Sequence, residues 1–247
     1  MTRLLDTHCH LDAYADPLEV LHTAQQSRVD VVAVTESPDA YRRLRTRLGR
    51  RGGVVVGLGL HPASRAAAAQ GQLERFFRLA SSADWIGEVG LDFNATTSRP
   101  EKARQLDVFH SLLDHTVVTE KPLSVHSRGA AAETIRAIAE GRARRIVLHW
   151  YSGPARLLDT ALDAECRFSI NPAMLGTKGQ ELIQRIPRNR VLCETDGPYC
   201  RTRGRPAQPF DVADVVDALA RSWQVDPDEA CEQLDRNRQE LVSAGSS

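Results

Sequence analysis

The feature that most constrains this chain is an eightfold recurrence: short apolar, β-branched stretches, each followed by a longer segment with helical spacing. The stretches are Arg3–His8, Val29–Thr35, Val54–Leu60, Trp85–Leu91, Pro122–His126, Ile146–His149, Arg167–Ile170 and Val191–Glu194. Several show no polar alternation, as expected of parallel strands covered on both faces. Eight βα units in 247 residues predict an α/β fold, a (β/α)8 TIM barrel, which closes as one unit at about 250 residues. No Gly/Ser linker and no shift in composition interrupts the pattern, so a single domain over residues 1–247 is expected. Hydrophobic residues at 42% and charged residues at 26% supply a core of the size such a barrel needs.

Between the strands, Asp16-Pro17 is expected to open one helix, and Pro154 another carrying Leu157, Leu158, Ala161 and Leu162. Asp211 is placed to cap a helix over Val212–Trp223, striped by Val215, Val216, Leu219 and Ala220. Thr96–Pro100 and Arg201–Pro209 are predicted loops, and Ala244–Ser247 a frayed tail.

Several classes are disfavoured. No apolar run approaches the roughly 20 residues of a membrane span, and Leu4-Leu5-Asp6 follows the N-terminus without a signal core, so no membrane contact and a cytoplasmic location are expected. Five cysteines without a CxxC pair suggest neither a disulfide framework nor a thiolate zinc site. The formal net charge is zero, so attraction to an anionic partner must rest on local clusters. Only three basic residues, Lys102, Lys121 and Lys178, are lysines.

The chemistry gathers at the C-terminal ends of the predicted strands, where the βα loops of a barrel build its active site. His8-Cys9-His10 ends the first, His61-Pro62 the third, Glu88 lies in the fourth, His126 and His149 end the fifth and sixth, and Asp196 follows the eighth. The two-residue period of a strand turns His8 and His10 to one side, so two ring nitrogens can converge on one ion. His22, His110 and His115 fall in predicted helices and receive no role. Six side chains exceed the three or four of a mononuclear site, which argues for two divalent ions bridged by a carboxylate. Imidazole with carboxylate leaves the metal open among Mg, Mn and Zn.

The blocks Asp6-Thr7-His8-Cys9-His10-Leu11-Asp12, Gly59-Leu60-His61-Pro62, Gly87-Glu88-Val89-Gly90-Leu91-Asp92, His126-Ser127-Arg128, His149-Trp150-Tyr151-Ser152-Gly153 and Glu194-Thr195-Asp196-Gly197-Pro198-Tyr199 resemble, in order, the TatD-like metal-dependent deoxyribonucleases. Within that family the chain is most similar to the QatD branch, the TatD-type nucleases of Qat anti-phage systems. That likeness rests on Thr35–Pro38, Trp150, Phe168–Leu175 followed by Lys178-Gly179, and Gly197. The resemblance implies a barrel of the metallo-dependent hydrolase type, divalent ions, and hydrolysis of DNA phosphodiesters, often from a 3′ end. It implies that His8 and His10 hold one ion, that Glu88 bridges, that His126 and His149 hold the second, and that Asp196 sits beside the attacking water. It also implies an operon with an ATPase and a deazaguanine-synthesis-like protein, with direct contact to these Qat-system proteins left open.

For substrate, His61 has two readings, a phosphate contact or proton donor and a hydrogen bond to its own loop. Arg128, on the same face as His126, suits a phosphate, since a guanidinium matches its oxygens in a fork. Arg201, Arg203 and Arg205 lie in the loop after the last strand, where they can track a DNA backbone while Tyr199 or Trp150 stacks a base. Two other functions compete: a small-molecule amidohydrolase, since such barrels also cleave amides, and a catalytically silent nucleic-acid-binding subunit. Glu88 at the strand-four position disfavours amidohydrolases bridged by a carboxylated lysine.

Overall fold

A computed structural model describes residues 3–243. In chain order its main elements are β1 (Leu4–Cys9), α1 (Pro17–Gln26), β2 (Val29–Ala33), α2 (Pro38–Leu48), β3 (Val54–Leu58), α3 (Arg65–Ala68), α4 (Gln72–Ala80), β4 (Trp85–Gly90), α5 (Arg99–Asp114) and α6 (Thr116–Thr119). Then follow β5 (Leu123–His126), α7 (Ala131–Glu140), β6 (Ile146–His149), α8 (Leu158–Asp163), β7 (Arg167–Ile170), α9 (Thr177–Arg185), β8 (Val191–Cys193), a hairpin of β9 (Arg201–Thr202) and β10 (Arg205–Pro206), α10 (Val212–Trp223) and α11 (Pro227–Ser243). The eight long strands stand in sequential order, each bonded to the next. With β8 beside β1, where Thr7 Oγ1 donates to the Cys193 carbonyl at 2.9 Å, this is the topology of the expected (β/α)8 barrel. Among the described residues no helix is long and apolar enough to cross a membrane.

The chain divides into two compact units. The first takes the residues up to Ala33, Arg47–Val55, and those from Phe168 on. In it β1 pairs in parallel with β2, and β7 with β8. The apolar stripe of α10 is buried as its spacing predicts, Val215, Val216 and Leu219 included. Asn237 of α11, wholly buried, donates from Nδ2 to the carbonyls of Arg188 and Val191, both at 2.7 Å, and so ties that helix to the start of β8.

The second unit takes Val34–Thr46 and Val56–Arg167. Its strands β3 to β6 pair in parallel in that order. All six residues of β4 are buried, and Phe76, Phe109, Leu112, Ile135 and Ile138 of α4, α5 and α7 are fully withdrawn from solvent. Each such side chain contributes about 1.5–3 kcal/mol on burial, which is what holds the strand ends in place.

Local details depart from expectation in five places, the first being that α5 already opens at Arg99, inside the expected loop Thr96–Pro100. Asp16 caps α1 as predicted, accepting from the Leu18 and Glu19 amides. Asp211 does not cap α10: a 3-10 turn, Pro209–Asp211, precedes that helix, and the Asp211 carboxylate instead accepts from the Gln208 amide at 2.7 Å and from Arg205. The segment after Pro154 starts as a 3-10 turn, Ala155–Leu157, before α8. His115 lies between α5 and α6 rather than inside a helix. The predicted loop after β8 folds back as the β9–β10 hairpin, and the tail Ala244–Ser247 lies outside the described residues, as does the side chain of Lys178.

Candidate metal centre

In the first unit the end of β1 and the chain after β8 converge. The Asp196 amide donates to the His8 carbonyl at 2.8 Å, and the His10 amide donates to the Gly197 carbonyl at 2.8 Å. These bonds bring three side chains together: His8 Nε2 lies 3.2 Å from His10 Nε2, and Asp196 Oδ1 lies 3.6 Å from the first and 3.4 Å from the second. All three residues are buried. Two imidazole nitrogens cannot turn lone pairs on each other at that distance without a proton or cation between them. Ligands about 2.1 Å from a tetrahedral ion stand roughly 3.4 Å apart, so the donor set fits a divalent metal.

Behind this cluster lies a support that the sequence reading missed. Asp6, fully buried, accepts at Oδ1 from the Thr195 amide at 2.9 Å and the His8 amide at 3.2 Å, and at Oδ2 from the Thr195 hydroxyl. Burial pushes its carboxyl well above the usual range, against the pull of those donors. Glu194, also fully buried, accepts from the Ser169 hydroxyl and from Asn171 Nδ2 at 3.2 Å.

The second unit gathers residues from three strands and a loop. Glu88 Oε1 lies 2.6 Å from His126 Nδ1 and 2.7 Å from His149 Nε2, and these two nitrogens are 3.2 Å apart. His61 Nε2 is 3.5 Å from the same carboxylate oxygen. A carboxylate ringed by imidazoles again suits a divalent ion. Asp92, unassigned in the sequence reading although it closes the Gly87–Asp92 block, places Oδ2 2.9 Å from His126 Nε2. The His126 bond holds the Asp92 carboxyl below its ordinary range, against the opposing effect of burial. Burial alone would lower the His126 pKa, but the Glu88 charge and the Asp92 contact outweigh it and raise the imidazole above its usual value.

The residues assigned to substrate are placed as follows. Arg128 is exposed, and its charge adds to the pull that lowers Asp92. Trp150 directly follows β6 with a left-handed φ of +39° and is half-buried. Tyr199 is 56% exposed and meets the His10 ring edge-on at 4.8 Å between centroids, so an aromatic face stands open beside the first cluster. Arg201 reaches back to the Gly204 carbonyl at 2.5 Å, while Arg203 pairs with Asp214 at 2.5 Å and Arg205 with buried Asp211 through two bonds of 2.8 and 2.7 Å. Gly197 is a glycine for a local reason: a Cβ there would lie 2.1 Å from the Tyr14 hydroxyl oxygen, which is itself bonded to the Ala207 carbonyl. The Glu36 carbonyl accepts from the His61 amide at 2.9 Å, which joins the chain after β2 to the loop that carries His61.

The model of the TatD related DNase family matches residues 5–243, nearly the whole chain. This chain belongs to that family. The "Uncharacterized metal-dependent hydrolase YcfH" of Escherichia coli K12 is 30% identical over 88% of this chain and 87% of its own length. The human "Deoxyribonuclease TATDN3" is 27% identical over 96% of this chain and 94% of its own. Among solved structures, the TatD homolog YJJV of Escherichia coli superposes with a TM-score of 0.87 at 21% identity, covering 98% of each chain. A TatD family hydrolase of Entamoeba histolytica gives 0.83 at 14% identity over 97% of this chain and 98% of its own. The family makes this chain a metal-dependent hydrolase of TatD type on a TIM barrel.

Proposed function

We propose that the protein is a metal-dependent deoxyribonuclease that hydrolyses DNA phosphodiesters from a 3′ end, with residues 1–247 acting as one domain that uses two divalent ions. The observation that carries this reading is the presence of two imidazole–carboxylate clusters at strand ends, one of His8, His10 and Asp196 and one of Glu88, His126 and His149. His8, His10 and Asp196 would hold one ion, and Glu88, His126 and His149 the other. Bound there, the ions, whether Mg, Mn or Zn, would supply charge neutralisation at a phosphoryl oxygen and a more acidic water.

The chain's own groups do the rest. Asp196, a carboxylate in reach of the His8 and His10 rings, accepts the proton of the attacking water and returns it to the leaving oxygen. Arg128 offers a guanidinium fork to a phosphate at the edge of the second cluster. Tyr199 presents its ring to a base, with Trp150 a second stacking face, and Arg201 and Arg203 of the hairpin lie along the strand's backbone. The name of human TATDN3 supports the substrate class, since that relative is called a deoxyribonuclease.

Metal-stripped protein re-supplied with Mg2+, Mn2+ or Zn2+ should cleave labelled single- or double-stranded DNA. Absence of cleavage with all three metals would reject the nuclease, and turnover of a small amide instead would favour an amidohydrolase. The resemblance carried by Thr35–Pro38, Trp150, Phe168–Leu175 with Lys178-Gly179, and Gly197 supports a role in Qat-type anti-phage defence, in the cytoplasm and beside other Qat-system proteins. It predicts that the complete operon loses phage protection when this gene carries Glu88→Gln, and undiminished protection would overturn it.

A further inference from the structure

His61 and His126 stand ring to ring, 4.8 Å between centroids, and each turns one nitrogen toward Glu88 Oε1: Nε2 of His61 at 3.5 Å and Nδ1 of His126 at 2.6 Å. What holds the other nitrogen differs. His61 Nδ1 accepts the Ala63 amide N–H at 3.1 Å. An amide nitrogen only donates, so Nδ1 must keep its lone pair, and the proton of the neutral ring lies on Nε2. His126 Nε2 faces Asp92 Oδ2 at 2.9 Å. An ionised carboxylate only accepts, so Nε2 must carry the proton, and Nδ1 is left with the lone pair.

We propose that the Ala63 amide and the Asp92 carboxylate fix one tautomer in both rings and present it oppositely, so that His126 is a metal ligand through Nδ1 while His61 is a hydrogen-bond donor through Nε2–H. Asp92 is thereby a positioning residue for the ligand. His61 is excluded from the ligand set, because ligating through Nε2 would require loss of the proton that the Ala63 contact keeps there. Its N–H is suited to an anionic oxygen, such as a phosphoryl oxygen of the substrate. This rests on the reading of the cluster as a metal centre and goes beyond it by dividing the histidines into ligand and donor.

Asp92 is built for the task. It is 4% exposed, its amide donates to Gln105 Oε1 at 2.8 Å, and its Oδ1 receives Asn94 Nδ2 at 3.4 Å. Gln105, equally buried, is held in turn by Glu101. Beyond β4 the backbone keeps pairing with the end of β5, Leu91 N–H to the His126 carbonyl at 3.0 Å and Phe93 N–H to the Arg128 carbonyl at 2.9 Å. Glu88 and Asp92 each take one nitrogen of the same imidazole, with Gly90 between them in sequence. A side chain at Gly90 would be driven into the His126 backbone, its Cβ 2.2 Å from the carbonyl oxygen. A second carboxylate that holds the far nitrogen of a ligand imidazole fixes ring orientation, and its removal typically costs 10–100-fold in metal affinity.

The test uses the full chain, 15N-labelled at histidine and loaded with cadmium-113. Coupling to the metal is expected at His126 Nδ1 and at neither nitrogen of His61, with a slowly exchanging Nε2 proton on His126. Coupling to His61, or to His126 through Nε2, overturns the proposal. Asp92→Ala should weaken cadmium binding by about 10–100-fold and lose the slow proton, while Asp92→Asn, whose amide oxygen still accepts, should recover part of both. His61→Ala should bind cadmium within about threefold of the parent, well inside the loss assigned to a second-layer partner. Unchanged affinity in Asp92→Ala, or a His61→Ala loss as large as that of His126→Ala, also overturns it. Failure to take up cadmium at all would instead reject the metal centre itself, and no outcome depends on DNA being cleaved.

Discussion

The two ligand clusters are supported in different ways. In the first, His8 and His10 sit together at the end of β1, and the group behind them, Asp6, clamps the backbone, accepting from the amides of His8 and Thr195. In the second, His126 and His149 end neighbouring strands that pair with each other beside β4, the strand that carries Glu88, and the supporting Asp92 bonds the ligand ring directly. One strand can aim two imidazoles by its own period, so only the seam with the chain after β8 needs fixing. Rings from separate strands have no such common frame, and each needs its own partner. Loss of support should therefore appear as lost stability in the first cluster and as lost metal affinity in the second.

The largest effect is expected where a cluster has no substitute for the residue removed. Glu88→Gln keeps shape and hydrogen-bonding capacity but removes the charge that two imidazoles share, and should lower turnover by roughly 10³-fold or more, by the loss of charge stabilisation at the site. The melting temperature should move little, and calorimetry should find one bound ion fewer or both weakened. Retained turnover would remove Glu88 from the centre.

Asp6→Ala should show the opposite signature. It leaves the Thr195 amide, the Thr195 hydroxyl and the His8 amide facing a fully buried space without their acceptor. The cost is about 3–5 kcal/mol, or roughly 6–20 °C in melting temperature for a chain of this size. Metal affinity of the molecules that remain folded should change far less than in Asp92→Ala. If Asp6→Ala lowered affinity with no loss of stability, the contrast between the clusters would collapse.

Gly90→Ala tests the backbone on the second side. Its φ of +133° and the 2.2 Å approach of a Cβ to the His126 carbonyl force the end of β5 to move. Strain and displacement together should cost about 2–4 kcal/mol, measured by denaturant unfolding, with metal affinity falling as His126 shifts. An unperturbed variant would show that the close pairing of these strand ends is dispensable.

How far the molecule was legible follows the same division between local and distant causes. The eight strands were readable because uninterrupted apolar runs signal doubly covered strands, and their ends shifted by at most two residues. All six expected ligands fall into the two clusters, since strand-end position alone put them there. What escaped were the supports: Asp6 meets Thr195 across the whole barrel sequence and Asp92 meets His126 across another βα unit, and neither pairing has a local signature. Asp211 was misjudged for a related reason, as the 3-10 turn before α10 shifts the capping box to Gln208. The arginines after β8 looked alike in sequence, yet two of the three are ion-paired, which only the folded hairpin determines.

That hairpin supplies the smallest predicted effects and sharpens the contrast between a structural and a substrate-facing charge. Arg205 bonds twice to Asp211, a carboxylate 2% exposed, so Arg205→Ala should cost about 1–3 kcal/mol of stability by leaving that charge with the Gln208 amide as its remaining donor. The salt dependence of DNA binding should stay as it is. Arg201, exposed and bonded to the Gly204 carbonyl three residues on, can exchange that bond for a phosphate. Arg201→Ala should leave stability within about 0.5 kcal/mol, while the slope of log affinity against log salt shrinks by about one, the value of a single phosphate contact. Arg203→Ala should fall between them, because Asp214 competes with the nucleic acid for its guanidinium. Equal salt slopes for all three variants and the parent would show that DNA does not pass over this hairpin.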